Sequence, residues 1–233
     1  MSMTPKTPSD RQALFSQFAL VADALAHGSR LSLLELLAQG ERGVEALAGF
    51  LGISIASASQ HLQKLKRAGL VVDRPVGRHR LYRLSGDPVS SLVLSLEKVA
   101  EASLASVEKL VHEQIRSRDE EPPIRAAELW ARLGQEPLVL VDVRPVEEYR
   151  AGHLPGAIHI PRERLRSELP ALSPESMIVV YCRGPYCFLA LEALEILRRE
   201  GYRARRLEEG VPEWRLLGFP VEKDVSETAR AGG

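Results

Sequence analysis

The sequence predicts two domains of different fold class, a mainly α-helical domain followed by an α/β domain. Before residue 118, apolar residues recur at helical spacing, interrupted by one pair of short alternating runs. After residue 123, short apolar runs alternate with helical segments, which is typical of a parallel sheet covered on both faces. The stretch SRDEEPP at 117–123 is charged, ends in two prolines and separates the two patterns. We therefore expect a first domain at 1–118, a linker at 119–123, a second domain at 124–222 and a tail at 223–233.

The composition favours a globular protein with an uneven charge distribution. Of 233 residues, 45% are hydrophobic, which is enough to build packed cores. The first ten residues are polar, and no apolar run approaches the roughly 18 residues that span a membrane. We expect a cytoplasmic protein with no membrane partner. Residues 54–83 hold seven basic side chains against one acidic one, which is typical either of a polyanion-binding surface or of a solvated basic face.

The elements of the first domain follow from periodicity and from capping residues. The predicted helices are 12–26, 29–38, 44–51, the segment IASASQHLQKLKRAG after Ser54, and a long helix over roughly 88–116. Ser54 is a typical N-cap, and Gly52 and Gly69 are typical terminators. LVVDRP and RHRLYRL, joined through Val76 and Gly77, predict a β-hairpin. The long last helix has an apolar stripe, which predicts a dimer interface, the alternative being that the stripe packs in the internal core.

Two short helices joined by a tight turn and followed by a basic hairpin predict a winged helix-turn-helix, whose second helix enters the DNA major groove. Its first turns would face base edges, and the residues expected to contact DNA there are Ser57, Ser59, Gln60, His61 and Lys64. The wing would contact phosphates or the minor groove through Arg74, Arg78 and Arg80.

The run SIASASQHLQKLKRAGLV at 54–71, with the basic wing after it, resembles the winged helix of the ArsR family of bacterial repressors over about residues 15–115. The resemblance implies a homodimer, formed through the first and last helices, that binds an inverted repeat in operator DNA. Metal-sensing members have cysteines on the helix before the recognition helix, or His and acidic ligands on the last helix. Segment 44–51 has no cysteine and the last helix offers only His112 and Glu113. We therefore expect no metal site and no cofactor.

The second domain alternates strands and helices. The predicted strands are LVLVDV, AIHI, MIVVYC and ARRLE, and the predicted helices are AAELWARL, VEEYRAG and FLALEALEILRREG. Both cysteines of the chain, Cys182 and Cys187, lie in one loop after a predicted strand, where functional loops of parallel sheets are found. Loop amides, a helix N-terminus and the charge of Arg183 would favour the thiolate of Cys182 and make it a nucleophile. The alternative is that Cys182 is a small buried apolar residue.

The segments VDVRPVEEYRAGHLPGAIHIP at 141–161 and EGVPEWRLLGFPV at 209–221 resemble signatures of the rhodanese family of sulfurtransferases over about residues 124–222, with Glu209 where a glycine is usual. The resemblance implies a rhodanese-like α/β domain with a central parallel sheet. It also implies that Cys182 takes sulfur as a persulfide from a sulfane-sulfur donor, such as thiosulfate or a low-molecular-weight persulfide. The loop residues expected to cradle an anion are Gly184, Pro185 and Tyr186. The motif residues expected to form a structural frame are Asp142, Arg144, Glu148 and His153, with Trp214 in the core.

The loop departs from the common family pattern, which has glycine at the fourth position and arginine at the sixth. Pro185 takes the fourth position and removes an amide donor, while Cys187 takes the sixth. The missing arginine argues against phosphate or arsenate monoester chemistry. Cys187 is predicted to be a resolving thiol that attacks the Cys182 persulfide and releases sulfide. The alternative is that Cys187 is a small packing residue at the start of the helix.

The leading hypothesis is a transcriptional repressor whose operator binding is gated by sulfane sulfur at Cys182, with Cys187 as the resolving thiol. A second hypothesis is a DNA-tethered sulfurtransferase whose turnover matters in itself. A third is an arsenical- or metal-responsive repressor that uses the two cysteines as soft ligands.

Overall fold

The computed structural model describes residues 10–135, 137–169, 173 and 175–224. Contacts divide the chain into two units, Met1–Ser90 and Ser91–Gly233. The predicted fold classes of the two domains are confirmed. Contacts group residues 91–118 with the second unit, whereas the sequence pattern placed them in the first domain. Residues 225–233 of the predicted tail lie outside the described residues.

The first unit is built from four helices and a small antiparallel sheet of strand order β1-β3-β2. Its elements are α1 Asp10–Leu25, α2 Gly28–Ala38, β1 Arg42–Gly43, α3 Val44–Leu51, α4 Ile55–Arg67, β2 Val71–Val76 and β3 His79–Leu84. Gly52 ends α3 in the left-handed conformation, with φ of 65°. Ser54 caps α4 as predicted, since its hydroxyl accepts a hydrogen bond from the Ser57 amide at 3.1 Å. Strands β2 and β3 form the predicted wing.

The predicted continuous helix over 88–116 is wrong. The structure has α5 Asp87–Ser103 and α6 Ala105–Gln114, separated by Leu104 in extended conformation. A 3₁₀ turn at Arg116–Arg118 follows, and Arg116 forms an ion pair with Glu101. In one continuous helix, Glu101 and Arg116 would be separated by about 22 Å along the helix axis. The ion pair between them therefore requires the chain to turn back.

The rest of the second unit is an α/β domain around a parallel sheet of strand order β5-β4-β6-β7. Its elements are α7 Ala126–Arg132, β4 Leu138–Asp142, α8 Val146–Ala151, β5 Ile158–His159, α9 Leu165–Glu168, β6 Met177–Tyr181, α10 Phe188–Arg199, β7 Ala204–Arg206 and α11 Val211–Leu216. Apolar side chains from β4 and β6 fill one core beneath α10 and another around Trp214. Burial on both faces explains why these strands are continuously apolar.

The segment between the α6 helix and the sheet is held against the second unit. Asp119 forms an ion pair of 2.7 Å with Arg206, and both side chains are almost fully buried. Arg118 pairs with Glu195 of α10 at 2.6 Å, and the Arg205 side chain donates to the Pro122 carbonyl at 2.6 Å. The predicted linker therefore has its own tertiary contacts. No helix among the described residues has both the length and the apolar character that crossing a membrane requires.

Candidate functional site

Cys182 and Cys187 lie in the loop between β6 and α10, at the carboxyl edge of the parallel sheet. The structure joins them by a disulfide bond, with their Cα atoms 6.2 Å apart. Cys187, rather than Cys182, occupies the N-cap position of α10. Both cysteines are buried, at 3% and 8% exposure. The five-residue spacing therefore brings the predicted nucleophile and the predicted resolving thiol to bonding distance.

Arg183 does not supply the free positive charge that the sequence led us to expect beside Cys182. Its guanidinium donates to both carboxylate oxygens of Glu148, with contacts of 2.7 to 3.1 Å. Glu148 is fully buried and Arg183 nearly so, which means that the two charges compensate each other away from water. The pair ties the start of the cysteine loop to α8.

Asp142 and Arg144 form a second buried ion pair at the end of β4, with a shortest contact of 2.6 Å. Arg144 also donates to the Gly152 carbonyl at 2.7 Å. Burial acts to lower the pKa of Arg144, but the hydrogen bond and charge of Asp142 outweigh burial, so the pKa is raised. His153 contacts the Tyr149 carbonyl through Nδ1 at 2.9 Å and stacks on the Tyr149 ring. The motif residues therefore contact other residues of the chain around the loop, and they are Asp142, Arg144, Glu148 and His153.

Two glycines allow the loop to pack closely against the start of α11. A Cβ atom on Gly210 would lie 2.1 Å from the Arg183 carbonyl oxygen, so only glycine fits there. A Cβ atom on Gly184 would lie 2.9 Å from a carboxylate oxygen of Glu213. That carboxylate also accepts from the Gly210 amide at 3.0 Å. Gly210 and Glu213 were not singled out from the sequence, although both lie in the C-terminal signature.

Fewer loop amides are available to an anion than the sequence suggested. The Cys187 amide donates to the Gly184 carbonyl at 3.2 Å, and Pro185 has no amide hydrogen. Within the predicted anion cradle at 184–186, Gly184 and Tyr186 are the residues with an amide hydrogen.

Tyr186 connects the cysteine loop to α5. Its hydroxyl donates to Glu101 at 2.7 Å, and Glu101 also pairs with Arg116. Burial, and next the hydrogen bond that the hydroxyl donates to Glu101, raise the pKa of Tyr186, so the hydroxyl stays protonated at neutral pH. No sequence pattern predicts this contact, because 85 residues separate the partners.

The predicted DNA-contact residues on α4 lie along one side of the helix. Gln60 is exposed, and Ser57, Ser59, His61 and Lys64 are half-buried, while the core positions Ala58, Leu62 and Leu65 are buried. Lys64 pairs with Asp23 at 2.9 Å. The ring of His61 lies 4.5 Å from that of His27. Burial, followed by the electrostatic effect of His27, lowers the pKa of His61.

The basic side chains of the wing differ in their partners. Arg74 pairs with Glu41 at 2.6 Å, and Arg80 and Lys66 both pair with Asp73. Arg78 follows Gly77 at the exposed tip and has no ion pair with any described residue. The Asp73 side chain is only 2% exposed, whereas that of Glu41 is 29% exposed. Arg74 can therefore exchange its partner for a phosphate at a lower cost than Arg80 can.

Comparisons with known proteins match both units. Residues 25–74 match the model of a helix-turn-helix domain, and residues 125–217 match that of a rhodanese-like domain. The HTH-type transcriptional regulator Rv0324 of Mycobacterium tuberculosis is 46% identical over 216 residues, which cover 92% of this chain and 95% of that protein. The HTH-type transcriptional regulator Rv2034 of the same organism is 39% identical over 88 residues, or 38% of this chain and 82% of that protein.

Among solved structures, the homodimeric winged helix-turn-helix DNA-binding domain Mb0332 of Mycobacterium bovis is 42% identical. The match covers 45% of this chain and 95% of that domain, with a TM-score of 0.40. The match to Rv0324 extends over nearly the full length of both chains and includes both domains. The chain therefore belongs to the family of HTH-type transcriptional regulators, with a winged helix-turn-helix domain followed by a rhodanese-like domain.

Proposed function

We propose that the chain binds operator DNA as a homodimer and that sulfane sulfur, reacting at Cys182 with Cys187 as the resolving thiol, gates this binding. One observation carries the proposal. The only two cysteines of the chain lie within bonding distance in one loop, and a residue between them is hydrogen-bonded to α5.

The proposed reaction consists of two successive displacements at sulfur. The Cys182 thiolate attacks the outer sulfur of a persulfide RS–SH, whose S–S bond breaks and releases RS⁻, leaving Cys182 as a persulfide. The Cys187 thiolate then attacks the Sγ atom of Cys182, forms the disulfide and expels HS⁻ with the electron pair. Overall, two thiols and RSSH give a disulfide, RSH and H₂S. The sulfane sulfur is the oxidant, and a low-molecular-weight thiol or dithiol returns the loop to its reduced form.

The contact between Tyr186 and Glu101 supports a route from this chemistry to DNA binding. Bridging or opening the cysteines changes the conformations available to the loop, and Tyr186 is bound to α5 from inside that loop. Helix α5 follows the wing directly in sequence. A signal shifts an equilibrium only if it contacts the two states differently, and this hydrogen bond is such a contact.

Two exposed apolar surfaces support the homodimer. Only the last two residues of α1 are buried, while Leu14, Phe15 and Phe18 are more than half exposed. On α5, Leu92, Leu96 and Val99 are also exposed. Large exposed apolar patches mark interaction surfaces, and the predicted partner for both is a second copy of this chain.

The test uses the reduced full-length chain and an operator selected from a random DNA pool. We expect a persulfide donor to form the Cys182–Cys187 bridge and to lower operator affinity by about 1–3 kcal/mol, the usual size of allosteric coupling. Cys187→Ser should accumulate the Cys182 persulfide without the bridge and lose most of the DNA response.

The matched cysteine variants separate the hypotheses. A full DNA response in Cys187→Ser would exclude the resolving role and leave the persulfide as the signal. Catalytic sulfur transfer to cyanide or a thiol, with no DNA response in the wild type, would favour the sulfurtransferase. A DNA response to trivalent arsenicals but not to persulfides would favour the arsenical sensor.

A further inference from the structure

We infer that the cysteine loop selects sulfane-sulfur donors of low negative charge and disfavours dianions such as thiosulfate. The inference rests on the proposed function, since it specifies the donor class for the chemistry at Cys182.

The first observation is the charge of the cavity that borders the loop. The cavity has a volume of about 410 Å³, and Pro185 and Tyr186 form part of its wall. Its acidic lining residues are Glu97, Glu101, Glu208, Glu209 and Glu213, and its basic ones are Lys98 and Arg125. Arg125 is already close to two of these carboxylates, 3.5 Å from Glu208 and 3.9 Å from Glu209. The lining therefore has a net negative charge.

The second observation is that the loop has no free cation to offset these carboxylates. Arg183 is the only basic residue between positions 182 and 187. Its guanidinium is bound by the fully buried carboxylate of Glu148. Turning Arg183 toward a donor would leave Glu148 as an unpaired buried charge, which is strongly unfavourable.

The third observation concerns hydrogen-bond donors. The Tyr186 hydroxyl is engaged by Glu101, the Cys187 amide by the Gly184 carbonyl, and Pro185 has no amide hydrogen. An anionic donor that reached the loop would therefore meet carboxylates, and neither the Tyr186 hydroxyl nor the Cys187 amide would be available to it.

The consequence is a charge filter beside the cysteine loop, which acts through space because the lining includes Pro185 and Tyr186 but neither cysteine. Carboxylates act over a Debye length of about 8–10 Å at moderate ionic strength, which is comparable to the dimensions of the cavity. A low-dielectric cleft with one sign of charge concentrates ligands of opposite or no charge and excludes those of like charge. Thiosulfate has two negative charges. A persulfide on an ammonium-bearing carrier has no net negative charge, because the ammonium group offsets the charge of the persulfide.

The test uses one reacting group on three carriers of different charge. Persulfides of cysteamine, cysteine and mercaptosuccinate share the terminal –S–SH and differ in the charge of the carrier. In each case Cys182 attacks the outer sulfur and the carrier thiolate leaves. The reduced full-length chain is mixed with each donor, quenched by alkylation, and the peptide containing Cys182 and Cys187 is quantified by mass spectrometry. Each rate is divided by that of a short cysteine peptide with the same donor.

We expect the normalised rate with cysteamine persulfide to exceed that with mercaptosuccinate persulfide by at least about tenfold at low salt. Added salt should reduce the ratio. Glu97→Gln combined with Glu208→Gln should reduce it by roughly fivefold, because two carboxylates of the lining lose their charge. The matched control is Glu163→Gln combined with Glu200→Gln, two exposed acidic residues of the same unit that do not line the cavity. It should leave the ratio unchanged.

Equal normalised rates for the three carriers, or a faster rate with the dianionic carrier, would overturn the charge filter while leaving the proposed function intact. Equal effects of the lining and control variants would also overturn it, since the preference would then come from overall charge. Failure of every donor to modify Cys182 would instead overturn the proposed function, and the donor class with it.

Discussion

Gly210 shows how one residue without a side chain fixes the reactive loop. The Arg183 carbonyl lies where the Cβ atom of any residue other than glycine would be at position 210. The side chain of Arg183 also forms the ion pair with Glu148. Position 210 thus sets the distance between α11 and the cysteine loop. Sequence signatures often contain such glycines because the backbone, rather than a functional group, needs the space.

We expect Gly210→Ala to destabilise the second unit by about 1–3 kcal/mol, the usual cost of overpacking, and to slow formation of the Cys182–Cys187 bridge. Both tryptophans of the chain, Trp130 and Trp214, lie in this unit, so their fluorescence during urea unfolding reports on it. Gly49→Ala is the control, because a Cβ atom there meets nothing within 4 Å and the residue lies in the other unit. An unchanged tryptophan transition in Gly210→Ala would show that the loop adapts without cost.

At the wing, we expect Arg78→Ala to weaken binding to all DNA sequences similarly and to reduce the salt slope by about one. Arg74→Ala should have a smaller effect, because Arg74 gives up its ion pair with Glu41 when it binds a phosphate. Fluorescence anisotropy over a salt series, with the selected operator and a scrambled duplex, measures both. Equal slopes for Arg78→Ala and the wild type would place the wing tip away from the DNA backbone.

Among the structural elements, α5 has contacts both with the cysteine loop and with the turn after α6. Glu101 on this helix accepts from Tyr186 and pairs with Arg116. A change in the loop can therefore reach the helix through the Tyr186 side chain. The packing explains why α5 and α6 are separate, since a continuous helix would carry Arg116 away from Glu101.

We expect Tyr186→Phe to form the Cys182–Cys187 bridge at the wild-type rate but to retain less than half of the change in operator affinity, which is about 1–3 kcal/mol in the wild type. The matched control is Tyr202→Phe, which removes a hydroxyl that donates to the Leu169 carbonyl at 2.8 Å in the same unit. Bridge formation is measured by mass spectrometry and affinity by anisotropy. A full DNA response in Tyr186→Phe would exclude this hydrogen bond as the route.

For the molecule as a whole, predictions from the sequence succeeded where the determining signal was local. The N-cap at Ser54, the hairpin at Gly77 and the parallel strands follow from neighbouring residues and from periodicity. The break at Leu104 could not be predicted, because neither glycine nor proline marks it. The partners of Arg183 and Tyr186 were equally inaccessible, since Glu148 and Glu101 lie far away in the sequence and only the fold brings them near.

The contacts of Arg118 and Asp119 also change where the boundary between the two parts of the chain is placed. The pairs Asp119–Arg206 and Arg118–Glu195 attach this segment to the second unit, so it does not behave as a free spacer. A truncation that begins at residue 124 would remove Asp119 and leave the buried guanidinium of Arg206 without this partner. Fragments of the second unit should therefore begin before Arg118.

Both cysteines of the chain lie in one bridged loop, so a count of free thiols measures the state of that loop. A maleimide attached to a heavy polymer retards the chain on a denaturing gel by one step for each accessible thiol under unfolding conditions. Because no other cysteine contributes to the count, a doubly shifted band measures the open loop and an unshifted band the bridged one. The fraction of closed loops in living cells can thus be counted on the unaltered protein, by quenching with acid before lysis.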